Sequence, residues 1–417
     1  MLTRRELLRR GASLGVAGGG ASSLAAPTLL WQARVADGGA AGASASAPAD
    51  RTLIIVQLAG GNDDLNMVVP YTDGTYLSSR PTLRVEPSTA IRLDDRLGLN
   101  PVMGNLKRIW DKKQLALIEG VGYPDPQYSH FDAMTIWQTA APKGEFNDGW
   151  LGRYFKETGA QTNSAFAGLD IGGSVAPMLQ ANGVMLPTLQ NPATYKMALD
   201  PRDATERLEA WKDLQEAGRA RNKYLSLIGS ASLGARESTE ALGRAVGSYE
   251  PAVTYGRDSL STSLRLLATI IVNQPGTKVA YTMVGGFDSH SFQRQSQDTL
   301  LEILSDAFSN FQTDLSAHGK AQDVLLVTWS EFGRRVKENG SQGTDHGDGG
   351  AMLAMGGSVK GGIYGEAPDL RTLDSNGSQR WTTDFRSVYA TMLEEWLGVD
   401  SSTILGDRFE HVPFVSA

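Results

Sequence analysis

Cysteine is missing from all 417 residues, which excludes disulfide bridges, thiolate metal sites, cysteine nucleophiles and a lipidated N-terminal cysteine. Any metal held by this chain must therefore use oxygen and imidazole donors. Histidine is scarce too, with five in the whole chain, so those that fall near acidic residues stand out. A long apolar run is also lacking. Gly15, Gly18, Gly19 and Gly20 dilute the one N-terminal stretch that approaches it, so a permanent membrane span is not expected. Basic charge is in short supply beyond the N-terminus: the chain carries −7, and its first 46 residues, with five arginines against Glu6 and Asp37, contribute +3, which leaves −10 for the rest. So acidic a body argues against a phosphate-backbone partner such as nucleic acid.

What is present is a globular composition, 41% hydrophobic and 20% charged, with enough apolar residues for one large core or two modest ones. The N-terminus reads as an export signal. Thr3-Arg4-Arg5-Glu6-Leu7-Leu8-Arg9-Arg10 precedes a small-residue, weakly apolar stretch from Gly11 to Trp31 and an Ala/Gly/Ser tail that ends near Asp50. The twin arginines followed by paired leucines resemble the twin-arginine translocation motif, so the translocase is the expected partner during export and the periplasm or exterior the expected location.

From Thr52 the pattern changes. Leu53 to Leu58 is a largely apolar run of strand length stopped by Gly60-Gly61. Helical periodicity follows over Asn100 to Lys113, then a second apolar run over Leu115 to Val121, which together suggest a β-α-β unit. Val279 to Val284 and Val324 to Trp329 are two further runs, separated by a helical stretch from Gln293 to His318. Ala351 to Met355 is a candidate strand and Phe385 to Leu397 a candidate closing helix. This alternation predicts an α/β fold with a mainly parallel sheet sandwiched by helices. Ala204 to Ser248, rich in Ala, Glu, Arg and Leu, reads as amphipathic helices outside the alternation. Residues 51–417 are thus expected to form a single domain with a helical insertion at about 200–258.

In open α/β sheets ligands collect at the carboxyl ends of strands. Here those ends are polar: Gly60-Gly61-Asn62-Asp63-Asp64, Gly285-Gly286-Phe287-Asp288-Ser289-His290 and Ser330-Glu331-Phe332-Gly333-Arg334-Arg335, with a further loop Gly343-Thr344-Asp345-His346-Gly347. Asp63, Asp288, His290, Glu331 and His346 are the candidate ligands of a mixed carboxylate and imidazole metal site. After the second apolar run, Tyr128-Ser129-His130-Phe131-Asp132 leads into a helical pattern. Ser129 at a helix N-terminus is either a nucleophile favoured by the free amides and dipole, or the cap of a Ser-x-x-Asp box. Asn62, His130 and Arg334 are the candidates for substrate contacts, Arg334 as a fork for an anion.

The segments Gln57-Leu58-Ala59-Gly60-Gly61-Asn62-Asp63, Ser129-His130-Phe131 with Ile136-Trp137-Gln138-Thr139, Gly286-Phe287-Asp288-Ser289-His290, Ser330-Glu331-Phe332-Gly333-Arg334 and Thr344-Asp345-His346-Gly347 together resemble a bacterial family exported by the twin-arginine route, known as domain of unknown function 1501. That family is similar to the alkaline phosphatase and sulfatase superfamily. The resemblance implies a fold with a dimetal site and a nucleophile at a helix N-terminus, acting on phosphate or sulfate esters. By motif, Asp63, Asp288, His290 and His346 match metal ligands and Ser129 the nucleophile. Glu331 stands where the superfamily has an aspartate, and Phe332 where it has a metal-binding histidine.

Two functions from different classes follow. One is an exported metal-dependent hydrolase of phosphate or sulfate esters, using one or two divalent cations among which Zn, Mn, Mg and Ca are not distinguished. The other is a non-catalytic exported binding or assembly protein that keeps the fold. Replacing both Arg4 and Arg5 by lysine is expected to abolish export; cell fractionation that still finds this double variant in the periplasm would remove the twin-arginine assignment.

Overall fold

The first strand, β1 (Thr52–Ala59), is apolar on both of its faces. Leu53 and Ile55 enter one helical layer while Ile54, Val56 and Leu58 enter the other, as a parallel strand covered on both sides requires. The computed structural model describes residues 51–190, 204–219, 223–274 and 276–416, so the expected export signal at 1–50 lies outside the described residues.

After β1 come three two-residue strands, β2 (Val68–Val69), β3 (Ile91–Arg92) and β4 (Gly98–Leu99), which form a small antiparallel sheet in the order β2-β4-β3. The remaining strands are β5 (Leu115–Gly122), β6 (Gly168–Ile171), β7 (Val279–Gly285), β8 (Val324–Trp329), β9 (Gly350–Met355), β10 (Gly362–Tyr364) and β11 (Thr383–Asp384). With β1 they make an eight-stranded sheet in the order β10-β5-β9-β8-β1-β7-β6, with β11 beside β5. Every pairing is parallel except those of β9, which runs antiparallel to both β5 and β8. The mainly parallel α/β sandwich read from the hydrophobic runs is the fold that forms.

Adjacency differs from the sequence expectation. β1 and β5 are parallel but not neighbours, because β8 and β9 lie between them, and β1 itself separates β7 from β8. Apolar runs identify buried strands without saying which of them pair. One helical layer contains Gly104–Asp111, Ser259–Asn273 and Gln293–Ala317, and the opposite layer His130–Thr139, Trp150–Thr158 and Phe385–Thr391. The stretch expected to be amphipathic holds the helices Ala204–Arg219 and Lys223–Ser248. Just past the second of these, the hydroxyls of Tyr249 and Tyr255 and the Ala252 amide all donate to the buried Asp314 carboxylate on the helix Gln293–Ala317.

The sheet direction decides where the polar loops go. β1, β5, β7 and β8 all end at one edge, and the reversed β9 begins there, so the whole segment between β8 and β9 stays at that edge. Register aligns the ends closely, with Ala59 opposite Gly285 and Gln57 opposite Trp329. Behind this edge lies a buried ion pair. Arg80, fully buried, donates from Nη1 to Asp63 Oδ2 at 2.6 Å, and its other nitrogens reach the carbonyls of Val336 and Arg335. Removing one partner of such a pair leaves the other charge stranded. Arg80→Met is therefore expected to lower unfolding free energy by about 3–5 kcal/mol, measured as a shift in the urea midpoint.

Candidate metal centre

Four chain segments meet at the carboxyl edge. They are the turn after β1, the segment from β5 into the helix His130–Thr139, the turn after β7, and the loop between β8 and β9. Gly60 and Gly61 adopt positive φ in the first turn, and they must lack side chains: a Cβ at Gly60 would strike the Asp288 amide and one at Gly61 the Phe332 ring. Arg334 ties three of these segments together, all but the one that follows β5. Its Nε donates to the Gly61 carbonyl at 2.6 Å, Nη1 to Thr344 at 2.8 Å, and Nη2 to the carbonyls of Gly60 and Phe287 and to Asp288 Oδ1 at 2.8 Å. The guanidinium is wholly buried, so it holds loops and is not the exposed fork the sequence suggested for a substrate anion.

On the solvent side of Arg334, three imidazoles surround Asp288. His130, Asp288 and His346 each offer a ligand atom, all within 4.8 Å of one another. His290 adds a fourth, its Nε2 lying 3.0 Å from Asp288 Oδ1 and 3.0 Å from His346 Nε2. His346 Nε2 lies 3.1 Å from Asp288 Oδ1, and His130 Nε2 lies 3.4 Å from Asp288 Oδ2.

The outer nitrogens explain why all three Nε2 atoms face inward. His346 Nδ1 donates to the Tyr128 carbonyl at 2.7 Å, His130 Nδ1 to Glu331 Oε1 at 2.8 Å, and His290 Nδ1 to Asp345 Oδ1 at 3.2 Å. Each of these partners is purely an acceptor, so each Nδ1 carries a proton and each ring is turned with its Nε2 toward the carboxylate. The inner nitrogens crowd one carboxylate, with His290 and His346 Nε2 3.0 Å from each other. A cation at the centre satisfies all the donors at once, so the residues fit a metal. Partial burial raises the pKa of Asp288, but hydrogen bonds from Arg334 and His346 and the nearby charges outweigh it and hold this carboxyl well below the usual carboxylate range. Asp345 is likewise lowered, with burial opposed by hydrogen bonds from His290 and Asn339.

Of the sequence candidates, Asp288, His290 and His346 are brought together. Glu331 is not at the centre: it is 1% exposed and stands behind His130, accepting also from the Gly60 amide at 2.8 Å. Asp63 is turned away, taken up by Arg80 and by Gln293 Nε2 at 2.5 Å. His130, read from sequence as a substrate contact, joins the metal-type cluster instead. Asn62 is buried, its Nδ2 on Met67 Sδ, and with Asp64, Trp137, Ser330 and Phe332 it lines a small cavity. Burial, then the neighbouring Asp63 charge, push Asp64 up to about 7. Phe332, which the resemblance puts at the position of a metal-binding histidine, packs its ring 4.9 Å from His130 and 4.5 Å from His346.

Ser129 is the N-cap of His130–Thr139 by backbone geometry, yet its side chain makes no capping hydrogen bond, and it is exposed. The capping box, the alternative reading of Ser129 and Asp132, does not form around this hydroxyl. Sequence reasoning missed the backing residues Tyr128, Asp345 and Asn376, the last of which donates to the His346 carbonyl at 2.9 Å. Asp345 was legible as a neighbour of His346, whereas a carbonyl acceptor such as that of Tyr128 leaves no mark on side-chain identity.

A family model described as protein of unknown function (DUF1501) matches residues 50–407. No curated protein matches the chain. Similar solved structures include the PsFucS1 sulfatase from Pseudoalteromonas sp., with 11% identity, a TM-score of 0.38 and coverage of 87% of this chain and 71% of that one. A protein in the alkaline phosphatase superfamily from Vibrio parahaemolyticus has 9% identity and a TM-score of 0.36, covering 87% and 71%. The C-terminal periplasmic domain of EcEptC from Escherichia coli, in complex with Zn, has 10% identity and a TM-score of 0.34, covering 75% of each chain. Identities and scores this low carry no residue role or activity across.

If Glu331 orients His130 and strengthens it as a donor, Glu331→Gln should weaken metal binding about 10- to 100-fold. Competition with a chromophoric chelator measures this directly. Folded Asp63→Asn protein should keep its metal affinity, since Asp63 faces Arg80.

Proposed function

The chain belongs to the DUF1501 family, and on that premise we propose that it is an exported metal-dependent hydrolase of phosphate or sulfate esters, with one divalent cation held by His130, His290, His346 and Asp288. The observation that carries this reading is the convergence of three Nε2 atoms on one carboxylate, each with its Nδ1 committed to an acceptor. Three imidazoles beside one carboxylate suit Zn, Mn or Fe better than Mg or Ca, which favour oxygen donors. The cluster is partly open, with His290 and Asp288 45% and 46% exposed, which leaves room for a substrate oxygen.

When bound, such a cation supplies a Lewis acid that stabilises negative charge on an ester oxygen and acidifies a nearby hydroxyl or water. The chain's own groups do the rest. Ser129 presents an uncapped hydroxyl at the start of the helix that carries His130, where first-turn amides and the helix dipole favour an oxyanion. Its Oγ is the assigned nucleophile. Glu331 holds His130 in one orientation through Nδ1, and Phe332 keeps water from the inner faces of His130 and His346. The export reading rests on Arg4 and Arg5. No helix among the described residues is long and apolar enough to cross a membrane.

One observation favours the alternative, a non-catalytic binding or assembly protein: both fully buried arginines, Arg80 and Arg334, are spent inside the fold, so neither offers a fork to an anion. Turnover separates the readings. With the metal-loaded protein and a panel of aryl phosphates and sulfates, Ser129→Ala should cut turnover by orders of magnitude while metal content stays unchanged. Because Ser129 makes no capping bond, the same variant should change stability by less than about 0.5 kcal/mol. Full activity in Ser129→Ala would shift attack to water, and an unmutated, metal-loaded protein that turns over nothing would leave the binding reading.

A further inference from the structure

Among the described residues, the exposed large hydrophobic side chains fall into two groups. Leu214, Leu225 and Val246 belong to the helices Ala204–Arg219 and Lys223–Ser248. Phe131, Met283 and Phe292 instead lie toward the carboxyl edge of the sheet, in the segments that carry the histidines. Phe131 directly follows His130 and is 81% exposed, and Phe292 stands two residues after His290 and is 76% exposed.

Phe292 also has an unusual backbone. Its φ of 46° and ψ of 39° are left-handed, a conformation that bulky residues rarely adopt and that costs free energy. The surroundings impose it. The Phe292 amide donates to the Ser341 carbonyl at 3.0 Å and the Gln293 amide to Gln342 at 2.9 Å, while the Gln293 side chain is fully buried, donating to Asp63 and accepting from Thr344 Oγ1 at 2.6 Å. Strain is thus held by buried contacts to keep a phenyl ring in solvent two residues from a site histidine. Core packing does not account for either ring.

We propose that Phe131 and Phe292 form a specificity-determining rim of the site, selecting an ester whose alcohol part carries a six-membered ring with an apolar face, aryl or pyranosyl, over one with a small alkyl group. The ester half of this inference rests on the hydrolase reading; the ring half does not. Phenyl faces stack on aromatic rings and on the C–H faces of sugars. Asp132 follows Phe131, and Ser291 and Arg294 flank Phe292 in sequence, so neither ring belongs to an apolar run of the chain. That suits a ring-sized ligand, whereas a lipid surface needs contiguous apolar area.

The test compares metal-loaded full-length protein with a Phe131→Ala, Phe292→Ala double variant, both substitutions being at exposed side chains. Calorimetry should find phenylphosphonate bound about tenfold more tightly than methylphosphonate, a ratio that falls close to one in the double variant. Saturation-transfer NMR with neutral benzyl alcohol and methyl glucopyranoside then distinguishes the aryl from the sugar source, and the signal of the preferred ring should drop in the variant. A ratio that persists in the variant, or no transfer to either ring in the unmodified protein, overturns the proposal. If neither phosphonate binds while ring signals still depend on the two phenyls, the ester reading fails and the rim stands. Cosedimentation with phosphatidylcholine vesicles that depends on the phenyls, without ring preference, overturns the ring in favour of a lipid surface.

Discussion

One guanidinium holds the carboxyl edge of this sheet together. Arg334 is completely buried and spends its donors on the carbonyls of Gly60, Gly61, Phe287 and Thr344 and on the Asp288 carboxylate. A buried charge is tolerated only when paired and hydrogen-bonded. That requirement couples five acceptors from three different loops to the position of one side chain, and those loops carry Asp288, His290 and His346. The same contact keeps Asp288 ionised, which is the state a cation site needs.

A second layer of acceptors then fixes the imidazoles. Tyr128, Glu331 and Asp345 each accept a hydrogen bond from an Nδ1, so the three Nε2 atoms face one point. Supports extend further outward. The Tyr128 hydroxyl donates to Asp374 at 2.7 Å, and Asn376 from the same segment reaches the His346 carbonyl, so the chain between β10 and β11 braces two of the loops. Preorganisation of this kind lowers the ordering cost of binding a metal or a substrate.

The two buried arginines also set what the edge does not do. Arg80 withdraws Asp63 from the cluster, and Arg334 is closed off from solvent, so the positive charge that faces a ligand must come from a bound cation and from the start of the helix His130–Thr139. Phe332 between two imidazoles lowers the polarity behind them, and a drier backing strengthens electrostatic interactions at the centre.

Much of the fold was legible because its signals are local. Leu53 to Leu58, Leu115 to Val121, Val279 to Val284 and Val324 to Trp329 have the length and apolar continuity of doubly covered strands, and each became one. The glycine turns and the Asp, His and Glu residues that follow these runs marked the functional edge for the same reason: polar residues directly after a buried strand must sit at its end. Local patterning along the chain thus specifies the layered α/β architecture and the set of segments at one edge. Their partners are set by long-range packing. Strand order is a long-range choice, so the reversal of β9 and the insertion of β1 between β7 and β8 left no local trace. The same holds for side-chain roles. Asp63 and Asp288 both follow glycines after apolar strands, yet one meets a buried arginine and the other three imidazoles. His130 and Glu331 exchanged expected places because a carboxylate buried behind a histidine is oriented by burial and by the Gly60 amide, interactions that exist only once the loops have packed.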